Sequence, residues 1–399
     1  MLSLLLLLLG AALAGGEHAQ PSMVPDPPST LLPPGTTSLP LKLATAQPSA
    51  CKWDTKDAPY ASMANSFAGS GTSHSTTLSA LSGNLQTSAF FVRCAAFPTE
   101  KLALTYRALP DVKATPSPKL GNLWGNQNFR GHPEGLAYAA KRASLWLGSD
   151  WNATEIAALR AANGGTIVLT SINACETTRT DLPDDFYLTN VTRPASTKGR
   201  LQSWPGAFRL DLTNPAVQEW QAELMYGLVA FGGIEGRPFN VTSGEPAPLT
   251  YDGLFVDNVF MDDGVGTNSQ DIFHNPFFPA TRTPGKADDP ADFGERWRAG
   301  MVRELELFRQ KMPHALMDGH ISVDAMRNDD NISGTFNAVS SECSNGRLGL
   351  TVAATLKVVA ANSRLHHAAD RRVVDGLRGG DVPVSRLDDS GERAAHHHG

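Results

Sequence analysis

Acidic and amide residues recur where apolar, strand-like runs end: Asp150, Asn173 with Glu176, Asp211, Asp257 with Asn258, Asp318 with His320, and Glu342. The most informative run is Tyr251-Asp252-Gly253-Leu254-Phe255-Val256-Asp257-Asn258-Val259. Its apolar centre suits a packed interior, whereas a carboxylate at its far end resists burial among hydrocarbon unless it is paired. Asp257 is therefore expected to point into a cleft, and Asp252 to brace the start of the strand. Carboxyl groups gathered in one cleft do proton chemistry, one handing a proton to a leaving oxygen while another attacks or activates water. Amides, carboxylates and a histidine beside them hold hydroxyl groups or orient a reacting carboxylate. Asp150, Asn173, Glu176, Asn258, Asp318 and His320 are the candidates for that substrate-binding role.

The elements that must position these groups begin near Arg142. Ala143–Gly148 reads as a buried strand, Thr154–Ala162 as a helix stopped by Asn163-Gly164, and Thr166–Asn173 as a second β-branched strand. That βαβ unit demands a parallel sheet with a right-handed crossover. Ala207–Asp211 is a further strand candidate. Asn214-Pro215 then opens an amphipathic helix through Val217, Trp220, Leu224, Leu228 and Phe231. Tyr251–Phe260 is the next strand, and Asp289-Pro290 starts a helix striped by Phe293, Trp297, Met301, Leu305, Phe308 and Met312. Ala315–Asp318 and Gly334–Val339 complete the series. Such alternation leaves an open doubly wound sheet or a barrel. No G-x-G-x-x-G follows a strand and no Walker A sequence occurs, so the nucleotide-binding open sheets lack support. Polar groups at the C-terminal strand ends instead match the active face of a (β/α)8 TIM barrel. The fold class expected is thus α/β and TIM-barrel-like. Six strand candidates lie between Arg142 and Glu342 where a full barrel has eight, so either the Phe90 run supplies a strand or the barrel is truncated at its C-terminus.

The Tyr251–Val259 segment, together with Arg209-Leu210-Asp211-Leu212-Thr213-Asn214-Pro215-Ala216-Val217, resembles glycosyl hydrolase-like family 15. It is similar, more distantly, to polygalactosaminidase-type and α-amylase-like barrels. The resemblance spans about Trp124 to Glu342, about half of the chain. It implies a sugar-cleaving barrel without saying which sugar; no cofactor and no metal are expected. Glycoside hydrolysis uses two carboxyl groups flanking the scissile bond. On that footing Asp257 is the expected nucleophile or base and Glu342 the general acid, whose pKa must be raised by apolar surroundings or by its neighbour. The competing reading is a catalytically inactive barrel that binds carbohydrate. Trp124, Trp151 and Trp204 are candidates to stack on sugar faces, with core packing as the alternative.

With 40 acidic against 34 basic residues and a net charge of -6, no basic stripe stands ready for phosphates. A carbohydrate is expected as partner and nucleic acid is not. Met1–Ala14 reads as a signal peptide, with apolar Leu4–Leu9 and small residues at Ala12 and Ala14. No stretch approaches about 18 apolar residues, so stable membrane insertion is not expected. Four N-x-[ST] sequons, at Asn152, Asn190, Asn240 and Asn331, agree with a glycoprotein that is secreted or held in the endomembrane lumen. Cys51, Cys94, Cys175 and Cys343 allow two disulfides in three pairings. The expected layout is signal peptide 1–14, a flexible Pro/Ser/Thr-rich linker 15–50, barrel domain 51–362 and a disordered tail 363–399. Oligomeric state is not set by these features.

Overall fold

The computed structural model describes residues 22–79, 81–83, 85–111, 121–123, 132–148, 151–189, 202–204, 206–232, 246–259, 278–279, 290–321 and 338–340. The first eight strands are β1 (Met23–Asp26), β2 (Thr30–Leu32), β3 (Leu39–Thr45), β4 (Cys51–Asp54), β5 (Asn65–Ser66), β6 (Ser73–Leu78), β7 (Ser88–Cys94) and β8 (Phe97–Ala108). They form a three-stranded sheet in the order β1-β3-β6 and a five-stranded sheet in the order β2-β8-β7-β4-β5. Leu41, Leu43, Trp53, Phe90, Val92, Leu104 and Tyr106 fill one core in this unit.

The flexible linker expected before residue 51 is corrected here, because residues 23–45 carry three strands. In β3, Leu41, Leu43 and Thr45 are buried at alternate positions, the period-two pattern of a strand with one inward face. Proline obscured it. Pro25 sits on β1, an edge strand, and Pro40 lies on β3 outside the Lys42–Thr45 stretch that pairs with β1, so one of its sides is locally an edge, places where a missing N–H is tolerated. The Phe90 run also supplies no barrel strand, since β7 pairs antiparallel with β4 and β8. The barrel boundary at residue 51 moves accordingly to the far side of β8.

Cys51 and Cys94 face each other on β4 and β7 and are disulfide-bonded across a separation of 43 residues. Cys175 is buried and in no disulfide, and Cys343 lies outside the described residues, so among the described residues one of the two possible bridges is present. A loop of that length predicts stabilisation of about 2–4 kcal/mol, chiefly by restricting the unfolded chain. The Cys51→Ala/Cys94→Ala double variant is expected to unfold at correspondingly lower denaturant. Superimposable urea curves would show that the bridge contributes nothing.

The second unit is built on a six-stranded sheet: β9 (Gly121–Leu123), β10 (Leu145–Leu147), β11 (Ile167–Asn173), β16 (Gly253–Val259), β18 (Leu316–Ile321) and β19 (Ala338–Ser340). Every adjacent pair is parallel. The strands lie side by side in chain order, without the reversal that defines a doubly wound sheet. This is the winding of a barrel, and the described strands form part of one. The Ala207–Asp211 candidate is not among them. β15 (Ala207–Arg209) pairs antiparallel with β12 (Glu176–Thr177) and β14 (Gln202–Trp204) beside the main sheet, and β13 (Leu188–Thr189) pairs with β17 (Phe278–Pro279). Gly121–Leu123, too short to show a period, takes the vacant place.

Side chains alternate across the parallel sheet. Leu145, Leu147, Ile167, Leu169 and Phe255 cluster on one face. On the other, Trp146 and Val168 pack with residues of α1 (Gly135–Arg142) and α2 (Ala153–Ala162), while Ile172, Leu254, Val256 and Met317 pack with α3 (Pro215–Phe231) and α4 (Pro290–Lys311). Both α2 and α3 start where capping chemistry predicts. Asn152 accepts from Glu155 N while the Glu155 carboxylate accepts from Asn152 N, and Asn214 accepts from Ala216 N ahead of Pro215. Of the sequons, Asn152 is therefore a helix cap; the other three lie outside the described residues. In α4, Trp297, Met301, Leu305 and Phe308 are fully buried, as the stripe predicts. Among the described residues, no helix is long and apolar enough to cross a membrane.

Two glycines permit this packing. A Cβ on Gly253 would stand 1.7 Å from Leu316 O on β18, and one on Gly300 would stand 1.9 Å from Leu212 O. The first explains the glycine of the Tyr251-Asp252-Gly253 motif, which lets two parallel strands meet at the sheet's base.

Candidate active site

The parallel pairing that aligns Asn173 with Asp257, and Phe255 with Asp318, decides which polar groups meet. Asn173, Asp257 and His320 share the parity of the inward residues Ile167, Phe255 and Leu316 and extend that face beyond the apolar layer. Directly paired residues of parallel strands point to the same side, so Asn173 and Asp257 are neighbours about 4.8 Å apart across the sheet. His320 Nδ1 lies 2.6 Å from Asp257 Oδ1, with the two side chains 13% and 23% exposed. A carboxylate only accepts, so Nδ1 carries the proton and donates. Asn258 N also donates to Asp257 Oδ1, at 2.9 Å. Oδ2 has no hydrogen-bond partner among the described residues. Asn258 itself stands at φ 55°, a conformation Asn tolerates better than most residues, where the β16–β18 register shifts between Val256 and Val259. That kink brings the Asn258 N–H onto the carboxylate.

At the end of β11, Asn173 Oδ1 accepts from Cys175 N, folding the chain back on itself. Its Nδ2 donates to Glu176 Oε2 at 3.1 Å. Glu176 is 4% exposed, and Arg209 Nε stands 3.6 Å from its Oε1. Arg209 Nη1 points to Cys175 Sγ at 3.0 Å, and that thiol points to Asn258 O at 3.6 Å. From α3, Gln221 Nε2 donates to the carbonyls of Asn173 and Ala174, which fastens the turn. Asp318 lies one layer deeper than His320, in register with Phe255 and 3% exposed.

Of the eight residues singled out, Asn173, Glu176, Asp257, Asn258, Asp318 and His320 thus come together at the C-terminal ends of β11, β16 and β18. Asp150 and Glu342 lie outside the described residues, as does Trp124. Trp151 is fully buried and packs edge-on against Trp146 at 5.3 Å, so it is a core residue and not a sugar platform. Residue-by-residue reading passed over Cys175, Arg209 and Gln221. Arg209 carries a faint signal, as a cation in an otherwise apolar strand end, whereas nothing local marks a glutamine inside an amphipathic helix.

Asp211 is drawn elsewhere. It is fully buried; its Oδ1 accepts from Thr213 N and Oγ1, while Oδ2 is unpartnered among the described residues. Burial pushes its pKa up from 3.8 to about 6, against the pull of the Thr213 donors and the Arg296 charge. Below the unfolded value both states carry the proton. As pH rises from there to the folded value, the unfolded chain releases its proton first, so this group's contribution to stability falls, by about 3 kcal/mol once pH exceeds 6. Asp211→Asn cannot ionise. The stability of wild type relative to this variant is therefore expected to fall by that amount between pH 3.5 and pH 7.5. A gap that stays constant across this window, in thermal melts of both proteins, would refute the burial argument.

No protein-family model and no curated protein matches the chain. Solved structures similar to it include the glycoside hydrolase domain of PelA from Pseudomonas aeruginosa, 12% identical over 57% of this chain and 68% of that one, with a TM-score of 0.34. The GH36 alpha-galactosidase AgaA from Geobacillus stearothermophilus is 13% identical over 81% of this chain and 51% of its own, with a TM-score of 0.34. Beta-glucuronidase 2 from Bacteroides uniformis is 7% identical over 80% and 35%, with a TM-score of 0.33. The chain spans about half the length of the second and about a third of the third. At these TM-scores the likeness carries no functional argument, which rests on the strand-end side chains alone.

Proposed function

We propose that the chain is an O-glycosyl hydrolase acting on an extracellular polysaccharide or glycan, with Asp257 as its nucleophile or base. The observation that carries this reading is the state of the Asp257 carboxylate. Two donors, His320 Nδ1–H and Asn258 N–H, converge on Oδ1, which holds the group in one orientation and stabilises its charge. Oδ2 remains for an anomeric carbon or a water molecule. Groups able to bind hydroxyls surround it, and the sheet presents them at the face where barrels carry their active sites. The signal-peptide pattern of Met1–Ala14 supports action outside the cytosol.

The test is release of new reducing ends from a panel of neutral and amino-sugar glycans by the purified protein. Turnover that disappears in Asp257→Asn is the expected result. Saturable binding of a glycan without turnover would replace this reading with the non-catalytic one, and neither binding nor turnover would remove carbohydrate altogether.

A further inference from the structure

We infer that Glu176 is the second carboxyl group of the site and donates the proton to the leaving oxygen. This rests on the hydrolase reading and deepens it. Asp257 Oδ1 accepts two hydrogen bonds where Glu176 accepts one, so Asp257 is the better held as the charged nucleophile or base and its partner must bring the proton. Asn173 connects the two groups. It is the sheet neighbour of Asp257, and its Nδ2 is bonded to Glu176 Oε2. One strand spacing and one hydrogen bond put the two carboxyls within about 9 Å, inside the span of about 5–9.5 Å that glycosidase pairs use.

A structural ion pair with Arg209 is the competing explanation, and a loose pair is present between the two buried side chains. Arg209 Nε stands 3.6 Å from Oε1, beyond hydrogen-bond reach, and Nη1 is turned to Cys175 Sγ. Bidentate pairs are closer and aligned. Oε1 accepts no hydrogen bond among the described residues, so one Glu176 oxygen is anchored by Asn173 and the other is available to carry a proton.

In the reaction, the Glu176 proton moves to the glycosidic oxygen as the bond to the anomeric carbon breaks, and the electron pair stays on that oxygen. A water oxygen bonds to the anomeric carbon and its proton passes to Asp257 Oδ2. Proton exchange with solvent then restores both carboxyls. The sum is the addition of one water across the glycosidic bond.

The experiment compares two substrates of the released sugar, an unactivated glycan and its dinitrophenyl glycoside, whose leaving group departs without a proton. Glu176→Gln keeps the Asn173 contact. It is expected to lower kcat on the glycan about 10²–10⁴-fold and on the dinitrophenyl glycoside by less than about tenfold. Equal losses on both substrates would mark a merely structural role and overturn this assignment while leaving hydrolysis intact. Glu176→Asp, which keeps the charge, carries the same comparison if the glutamine variant does not fold. Wild-type protein that cleaves neither substrate would bring down the assignment and the hydrolase reading together.

Discussion

Asp257→Asn is expected to fold as the wild type does and to lose about 10²–10⁴-fold in kcat, the range for removing a positioned acid–base group. The amide oxygen accepts from His320 Nδ1 and Asn258 N just as Oδ1 does, so the strand end keeps its hydrogen bonds. The His320 and Asp257 side chains are only partly buried, 13% and 23% exposed, and substitutions there cost little unless a buried partner is orphaned. A melting temperature within a few degrees of wild type, with turnover gone, separates chemistry from stability. Retained turnover would show that the His320–Asp257 contact only ties down a loop. His320→Gln is the informative companion: it removes the donor that orients the carboxylate but leaves the carboxylate itself, so its loss is expected to be the smaller of the two.

At the opposite end of the same strand, Asp252→Ala is expected to destabilise the protein by about 3–5 kcal/mol, the cost of breaking a buried ion pair by removing one partner. Asp252 is fully buried. Arg107 Nη1 donates to its Oδ1 at 2.8 Å, while Arg160 Nη2 and Val168 N each donate to Oδ2 at 2.8 Å. Arg107, 2% exposed, also donates to the carbonyls of Leu249 and Tyr251. The alanine variant strands two guanidiniums, one of them wholly inside.

Burial pushes the Asp252 pKa up, but the two guanidiniums and the Val168 N–H outweigh it and hold the group below the usual carboxylate value of 3.8. A depressed acid stabilises the fold above its unfolded pKa, and that stability is lost as pH falls through the folded value. Wild type should therefore lose stability relative to Asp252→Ala in strong acid. Equilibrium denaturation at pH 7 checks the magnitude, and a cost below about 1 kcal/mol would show that the cluster is dispensable. Arg107 belongs to β8 and Asp252 to the base of β16. The first unit therefore completes the charge balance of the second, and a fragment lacking residues 22–111 is expected to fold poorly.

Local pattern was enough where the physics is local. The stripes of α3 and α4, the Asn152 and Asn214 caps, the β-branched run Thr166–Asn173 and the carboxylate ending Tyr251–Val259 each follow from one residue's neighbours within a turn or two. Parallel pairing followed too, because a strand, helix and strand in succession admit little else.

Pairing over long distances was not legible. β3 looked like linker because Pro40 and the prolines before it masked an alternation that matters only opposite β1 and β6. Ala207–Arg209 has the composition of a barrel strand yet pairs antiparallel with Glu176–Thr177. Nothing near Asp257 in the chain points to His320, 63 residues away, or to Glu176, which comes much earlier on β12. Those contacts depend on strand register, and register is set by the whole sheet. A shift of one residue would turn Asp257 away from the inward face and onto the helices. Residue types thus supplied groups able to move protons, and only the aligned strand ends decided which carboxylate, histidine and amide meet.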